Sequence, residues 1–431
     1  MKLINRYTLI ALAVSALTLN ITAAHSQTIS LNASAAPQVV IKPQTLQQGQ
    51  WDSVNKQRLD AMLEKDGKSP AHTYYAVFDF DNTTAFLDIE EAAMIYQLEN
   101  LLFAMTPEEL KTVIFKDIPA TDFVAEFNNK KGKSVNIEKV GADILESYQW
   151  LYDNAEGLNG NKPLSEIKKS PHYQNFITKM RYLYAAIGGT FQHEVSYPWV
   201  TYLFMNMTPE QVADITKKTI AWQQTQPVES VTWQSPESLQ GLAGVVDISW
   251  HNGFRLVPEM QDLYQALQKS GIDVYVISAS NLEVIKSIVT QPPYLVPDSQ
   301  VFAMHLLRTK ENKLTSDLDP AYPQTQGKGK TETIRQFIQD KYAGKGPLLV
   351  AGDSEGDQNM MSDFPDTEVV LIINRLRSPD TIIGKLSQQA VREYGQKESK
   401  ILLQGRNDNT GLFVPSQLHT PLGDKEGRAV K

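Results

Sequence analysis

Asp79 and Asp81 stand two residues apart in Asp79-Phe80-Asp81-Asn82-Thr83-Thr84, directly after an apolar run. Two carboxylates that close repel each other and are costly without a cation. A hard ion with oxygen ligands, Mg²⁺, relieves the repulsion. Asp79 can then attack phosphorus as a carboxylate nucleophile, forming an aspartyl-phosphate. Asp81 is placed to protonate the leaving oxygen and later to deprotonate a water, and its main-chain carbonyl is a further metal ligand. Thr83 would brace the loop by hydrogen bonds. Taken alone, the hexapeptide reads equally well as an Asx turn capping a helix.

Three more clusters could join it. Ser278-Ala279-Ser280-Asn281 offers a hydroxyl and main-chain N–H groups at an expected helix start, an anion site or simply an N-cap. Lys330, after Gly327-Lys328-Gly329, could neutralise Asp79 and a phosphate oxygen together, with Lys328 as its competitor. Gly352-Asp353-Ser354-Glu355-Gly356-Asp357 supplies carboxylates four apart, Asp353 as a direct metal ligand and Asp357 through water. Acidic loops of this kind are also commonly just solvated.

Short apolar runs at 74–78, 273–277, 347–351 and 368–373 have the composition of buried parallel strands. Asp79, Ser278 and the Gly352-Asp353 cluster each lie just past the end of one such run, at the edge where open α/β sheets bind ligands, and Lys330 opens the helix expected over 330–342. Helical spacing over 55–65, 258–269 and 330–342 supplies the alternation that implies a parallel sheet with right-handed crossovers. Residues 85–254 are too long for a crossover. They carry helical patterns at 98–105, 107–114, 140–152, 173–187 and 209–222, the last opened by Thr208-Pro209-Glu210. The expected architecture is an α/β, Rossmann-like parallel sheet core, residues 46–84 and 255–418. A large helical cap, 85–254, is inserted into it, and 419–431 form a C-terminal tail.

Lys2 and Arg6, an apolar run over 7–19 and Ala24-His25-Ser26 have the form of a cleaved signal peptide, residues 1–26. The Gln-, Ala- and Pro-containing stretch 27–45 follows as a linker. The protein is therefore expected to be periplasmic or secreted, with no membrane span in its mature form. Across 431 residues, 42% hydrophobic and 21% charged content are those of a soluble globular protein. A net charge of -8 argues against non-specific nucleic-acid binding, which needs a basic face. The absence of cysteine removes thiol catalysis, iron–sulfur clusters and thiolate zinc sites. His72, His172, His193, His251 and His305 are scattered without ligand spacing.

In this order the four clusters resemble the motifs of the haloacid dehalogenase superfamily: DxDxT, a hydrophobic strand ending in Ser or Thr, a Lys, and GDxxxD. A closer resemblance is to the phosphorylcholine phosphatases, exported members of that superfamily. It rests on the stretch from Val77 to Thr84, on Asp88-Ile89-Glu90-Glu91, and on Val195-Ser196-Tyr197-Pro198-Trp199-Val200. Gly271 to Ala279 and Leu349-Val350-Ala351-Gly352-Asp353 extend it. The resemblance implies Mg²⁺-dependent hydrolysis of a small phosphomonoester, phosphocholine or a relative. Asp79 and Asp81 would be catalytic, Thr83, Ser278 and Lys330 would contact the substrate, and Asp79, Asp81, Asp353 and Asp357 would hold the metal. The family's acidic cap stretch is only partly matched, by Thr190-Phe191-Gln192-His193-Glu194. Tyr148, Trp150, Tyr197 and Trp199 are aromatic candidates for a quaternary ammonium. Other activities compatible with the motifs are phosphotransfer and C–P hydrolysis. A periplasmic binding protein that has kept the fold without catalysis is the reading from another class.

Overall fold

The strand ends that position the chemistry belong to one six-stranded, wholly parallel sheet. Its strands, in chain order, are β1 Tyr75–Phe78, β2 Asp273–Asn281, β3 Val301–Met304, β4 Leu349–Gly352, β5 Val369–Ile373 and β6 Ile401–Gln404. Their spatial order is β6-β5-β4-β1-β2-β3, and every neighbouring pair is parallel. The computed structural model describes residues 44–67 and 70–430. The expected signal peptide and nearly all of the expected linker lie outside the described residues.

β1 is central and buried at all four positions, as its uninterrupted apolar run requires. Ala76, Val77 and Phe78 pair with Leu349, Val350 and Ala351 on one side, and Tyr75 to Phe78 pair with Asp273 to Val276 on the other. The strand order reverses between β1 and β4, which makes a crevice at their carboxyl ends. The four expected strands prove to be part of a larger set, since β3 and β6 extend the sheet at both edges. The β2 strand also continues beyond Ser278 to Asn281, with a shift of register against β3 after Ile277. The helix that follows starts at Leu282 and is capped by Asn281, whose side chain accepts from Glu283 N–H.

Residues between β1 and β2 leave the sheet through a small ribbon, Ala85–Phe86 paired antiparallel with Arg255–Leu256. Between these two strands come the helices Ile89–Asn100, Pro107–Phe115, Ile137–Asn154, Pro171–Thr190, His193–Thr201 and Pro209–Gln223. A hairpin the sequence did not signal, Glu229–Gln234 with Asp247–Asn252, follows them. The helix expected over 98–105 is instead Ile89–Asn100: Leu101 turns into the left-handed region and ends it. Thr208 opens its helix as expected, in a reciprocal capping box with Gln211 and with Pro209 in the first turn. Among the described residues no helix is long and apolar enough to cross a membrane.

Candidate active site

The turn after β1 is shaped by its own backbone. Thr84 and Ala85 N–H both donate to Phe80 carbonyl, at 2.9 and 3.0 Å, and Asn82 takes a positive φ of 59°. Asp79 N–H donates to Ala351 carbonyl at 3.0 Å, so the nucleophile candidate is anchored to β4 before its side chain makes any contact. Thr84 Oγ1 donates to Asp79 carbonyl at 2.7 Å and meets Tyr264 hydroxyl at 2.8 Å. From the C-terminal segment, the buried Arg406 donates to Asn82 carbonyl at 2.9 Å and lies 4.8 Å from the Phe86 ring centroid. No sequence signal marked Arg406 as part of this loop.

Asp79 is only 5% exposed. Lys330 Nζ donates to Asp79 Oδ1 at 2.6 Å and to Asp357 Oδ1 at 2.7 Å. Thr83 Oγ1 bridges Asp79 Oδ2 at 3.2 Å and Asp353 Oδ1 at 3.1 Å. Between the two candidate lysines the geometry is decisive: Lys330 is buried at the site and Lys328 is exposed. The helix begins at Lys328, not at Lys330, and runs only to Thr333 before a π-helical stretch, Ile334–Ile338. Lys330 is thus its third residue. Gly329 makes this start possible, because a Cβ there would meet Gln324 carbonyl at 1.8 Å.

Asp357 closes its own loop by accepting from the N–H groups of Asp353 and Ser354 at 2.9 and 3.1 Å. Asp353 meets two side chains the sequence reading had passed over. Arg375 Nη1 reaches Asp353 Oδ2 at 2.7 Å, and Arg377 donates to the carbonyl at 3.0 Å and to Oδ2 at 3.3 Å. Both arginines follow β5, so their arrival is a consequence of sheet order. Asp81 faces elsewhere. Its Oδ1 accepts from Ile89 N–H at 2.8 Å, at the start of the 89–100 helix, and its Oδ2 accepts from Ser280 Oγ at 2.7 Å and Ser278 Oγ at 3.2 Å.

These contacts set the ionisation. Burial and the Asp357 carboxylate push Asp79 well above the ordinary carboxylate range, against the opposing pull of Lys330. Burial also raises Asp81, and the donors from Ile89, Ser280 and Ser278 only partly offset it. Asp353 goes the other way: burial would raise it, but Arg375 and Arg377 outweigh that and hold it low. Burial alone would lower Lys330, yet the Asp357 and Asp79 carboxylates prevail and its pKa rises.

Asp79, Asp353 and Asp357 each offer a carboxylate oxygen, all within 4.8 Å of one another, and all three are buried. An all-oxygen set of this charge suits a hard divalent cation such as Mg²⁺. The Asp81 carboxylate is engaged outside this triad, which leaves its main-chain carbonyl as the group by which it would join.

A cavity of about 390 Å³ opens onto the site, and Asp79, Asp81, Lys330, Asp353 and Asp357 all line it. Ser278 and Thr83 stand behind its wall, with their hydroxyls taken up by the carboxylates, whereas Ser280, two residues further along β2, does line it. Of the four aromatic candidates only Tyr197 lines this cavity. Tyr148 and Trp199 are fully buried, donating to Met105 and Ile114 carbonyls, and Trp150 stacks on His172. Tyr148 and Trp199 therefore belong to the core and not to a ligand site.

No family model matches the chain. It is 22% identical over 371 residues to a phosphorylcholine phosphatase of Pseudomonas aeruginosa, a match spanning 80% of this chain and 86% of that one. The crystal structure of a conserved, functionally unknown protein from Anaerococcus prevotii DSM 20548 matches with a TM-score of 0.81 and 32% identity. That match covers 88% of this chain and 99% of the other, so the two are members of one family.

Proposed function

We propose that this chain is a member of the haloacid dehalogenase superfamily and an exported, Mg²⁺-dependent phosphomonoesterase working through an aspartyl-phosphate. Its substrate is phosphocholine or a related small phosphomonoester. The carrying observation is the convergence on one buried carboxylate: Lys330 at 2.6 Å from Asp79, with Asp353 and Asp357 around them, residues that meet only through the fold. In this reading residues 85–254 are a cap over the core formed by 46–84 and 255–418. The basic and apolar N-terminus serves export.

Asp79 attacks phosphorus, the new O–P bond forms as the ester P–O bond breaks, and Asp81 gives its proton to the departing alcohol. A water then attacks the aspartyl-phosphate, losing its proton to Asp81 and releasing phosphate and the Asp79 carboxylate. The raised pKa of Asp81, set by burial, suits the first of these two roles. Lys330 balances charge on Asp79 and on a phosphate oxygen, Ser280 faces the bound group, and Thr83 and Ser278 hold the two aspartates in place. Asp79, Asp353, Asp357 and the Asp81 carbonyl would hold Mg²⁺, which when bound neutralises charge on the phosphoryl group.

The test is phosphate release from aryl and alkyl phosphates with Mg²⁺ present or chelated. Asp79→Asn is expected to lower turnover by roughly a thousandfold or more at saturating Mg²⁺, with the circular dichroism spectrum retained. Substantial residual turnover in that variant would remove Asp79 from the nucleophile's role.

A further inference from the structure

Arg406 is 1% exposed, and all three of its guanidinium nitrogens find an oxygen. Nε donates to Asp408 Oδ1 at 3.0 Å, Nη1 to Asn82 carbonyl at 2.9 Å and Nη2 to Asn82 Oδ1 at 3.4 Å. Two of these contacts fall on one residue of the catalytic turn, 324 positions away in the chain. A positive charge this deep is costly, and burial pulls its pKa down to about 10 against the opposing Asp408 carboxylate. The segment that carries it is fixed in its own right. Arg406 pairs with Phe413 in a short antiparallel ribbon, its carbonyl accepts Thr420 N–H at 2.8 Å, and His419 Nε2 stands 3.3 Å from Asp408 Oδ2.

The residue it grips holds a loop together. Asn82 and Leu87 both take positive φ, 59° and 66°, a region asparagine tolerates and leucine rarely enters. They close on each other: Asn82 N–H donates to Leu87 carbonyl at 3.1 Å, and Leu87 N–H to Asn82 Oδ1 at 3.2 Å. That closure brings round Ile89, whose N–H donates to Asp81 Oδ1 at 2.8 Å. Left-handed side-chain-bearing residues persist where their surroundings over-determine them, and here the surroundings come from the C-terminal segment. Besides the fork on Asn82, the guanidinium lies 4.8 Å from the Phe86 ring centroid. Gly411, with φ 74°, packs so closely that a Cβ on it would stand 2.5 Å from Phe86 Cδ1.

We infer that Arg406 is a positioning residue for Asp81. By holding Asn82 through both its carbonyl and its side chain, it keeps the 82–87 loop closed and so keeps Ile89 N–H on the Asp81 carboxylate. It acts from behind the site, since it does not line the cavity that opens onto Asp79 and Lys330. The consequence for proton transfer rests on the phosphomonoesterase reading, whereas the hold on the loop does not.

Two measurements on Arg406→Met test it. Hydrogen exchange followed by mass spectrometry should show the amides of residues 82–89 exchanging at least about tenfold faster, with peptides from the helix Ile137–Asn154 unchanged. Unchanged exchange at 82–89, or an equal rise throughout the chain, overturns the inference. In steady-state kinetics the ratio of alkyl to p-nitrophenyl phosphate turnover should fall roughly tenfold, because a displaced Asp81 fails most where the leaving group needs a proton. Loss of folded enzyme would lower both rates alike, so an unchanged ratio also overturns it. Should Arg406→Met fail to fold, Arg406→Lys is read in the same two ways: it keeps the charge beside Asp408 but lacks the planar fork for Asn82. Wild-type exchange and wild-type ratio in that variant overturn the inference. If the unmodified protein hydrolyses neither phosphate, the phosphatase reading falls and the exchange measurement judges Arg406 alone.

Discussion

At the scale of single residues, the site separates two aspartates that stand two apart in sequence. Asp79 shares Lys330 and Thr83 with the acidic triad, whereas Asp81 is held by three donors from two other elements. That division fits one carboxylate attacking and the other moving a proton. Asp81→Asn should therefore slow hydrolysis of an alkyl phosphate by roughly 10²–10⁴-fold and of p-nitrophenyl phosphate far less, because nitrophenolate leaves without a proton. Steady-state turnover on both substrates checks this, and equal losses would count against the proton-transfer role. Arg375 and Arg377 complete the picture by keeping Asp353 ionised in a buried setting.

At the scale of elements, the strand ends carry constraints that substitution can expose. A Cβ on Gly352, the last residue of β4, would stand 2.6 Å from Asp357 Cβ and 2.7 Å from its Oδ2. Gly352→Ala must displace that carboxylate, so Mg²⁺ affinity should fall about tenfold or more, read by calorimetric titration. Unchanged affinity would mean that Asp357 does not hold the metal. The helical insert is pinned from within by another buried group: Lys179 donates to Asp143 at 2.7 Å and to Gln240 carbonyl at 2.8 Å, while Asp143 accepts from the N–H groups of Leu242 and Ala243. This ties the helices Ile137–Asn154 and Pro171–Thr190 to the loop before the second strand of the hairpin.

For the molecule as a whole, stability should depend on pH through a group outside the site. Asp66 is buried at the C-terminal end of the helix Ser53–Asp66, where the helix dipole also disfavours negative charge. Burial, then the Glu368 carboxylate, raise its pKa from 3.8 to about 6. The folded protein thus holds this proton more tightly than the unfolded chain. The group's contribution is fully present below about pH 4 and is lost as pH rises through about 6. Asp66→Asn should raise the thermal midpoint relative to the unmodified protein at pH 7 and leave it nearly equal at pH 4. A constant difference between the two proteins across that range would show that Asp66 does not titrate as described.

Local sequence determined the chemistry and most of the frame. Apolar runs ending in Asp79, Asp353 and the Ser278 region announced buried parallel strands and their ligand-bearing ends, because four or five neighbouring residues suffice to commit a strand. The helix Pro258–Lys269 was legible to its ends for the same reason. What tertiary structure alone decided depends on contacts far apart in the chain. It selected Lys330 over Lys328, a choice made by the phase of one helix against Asp79, 251 residues away. It turned Ser280 rather than Ser278 toward the cavity by carrying β2 past its expected end, and it ended the Ile89–Asn100 helix at Leu101. Arg375, Arg377 and Arg406 left no trace in spacing, since an arginine becomes part of a site through the oxygen it reaches across the fold.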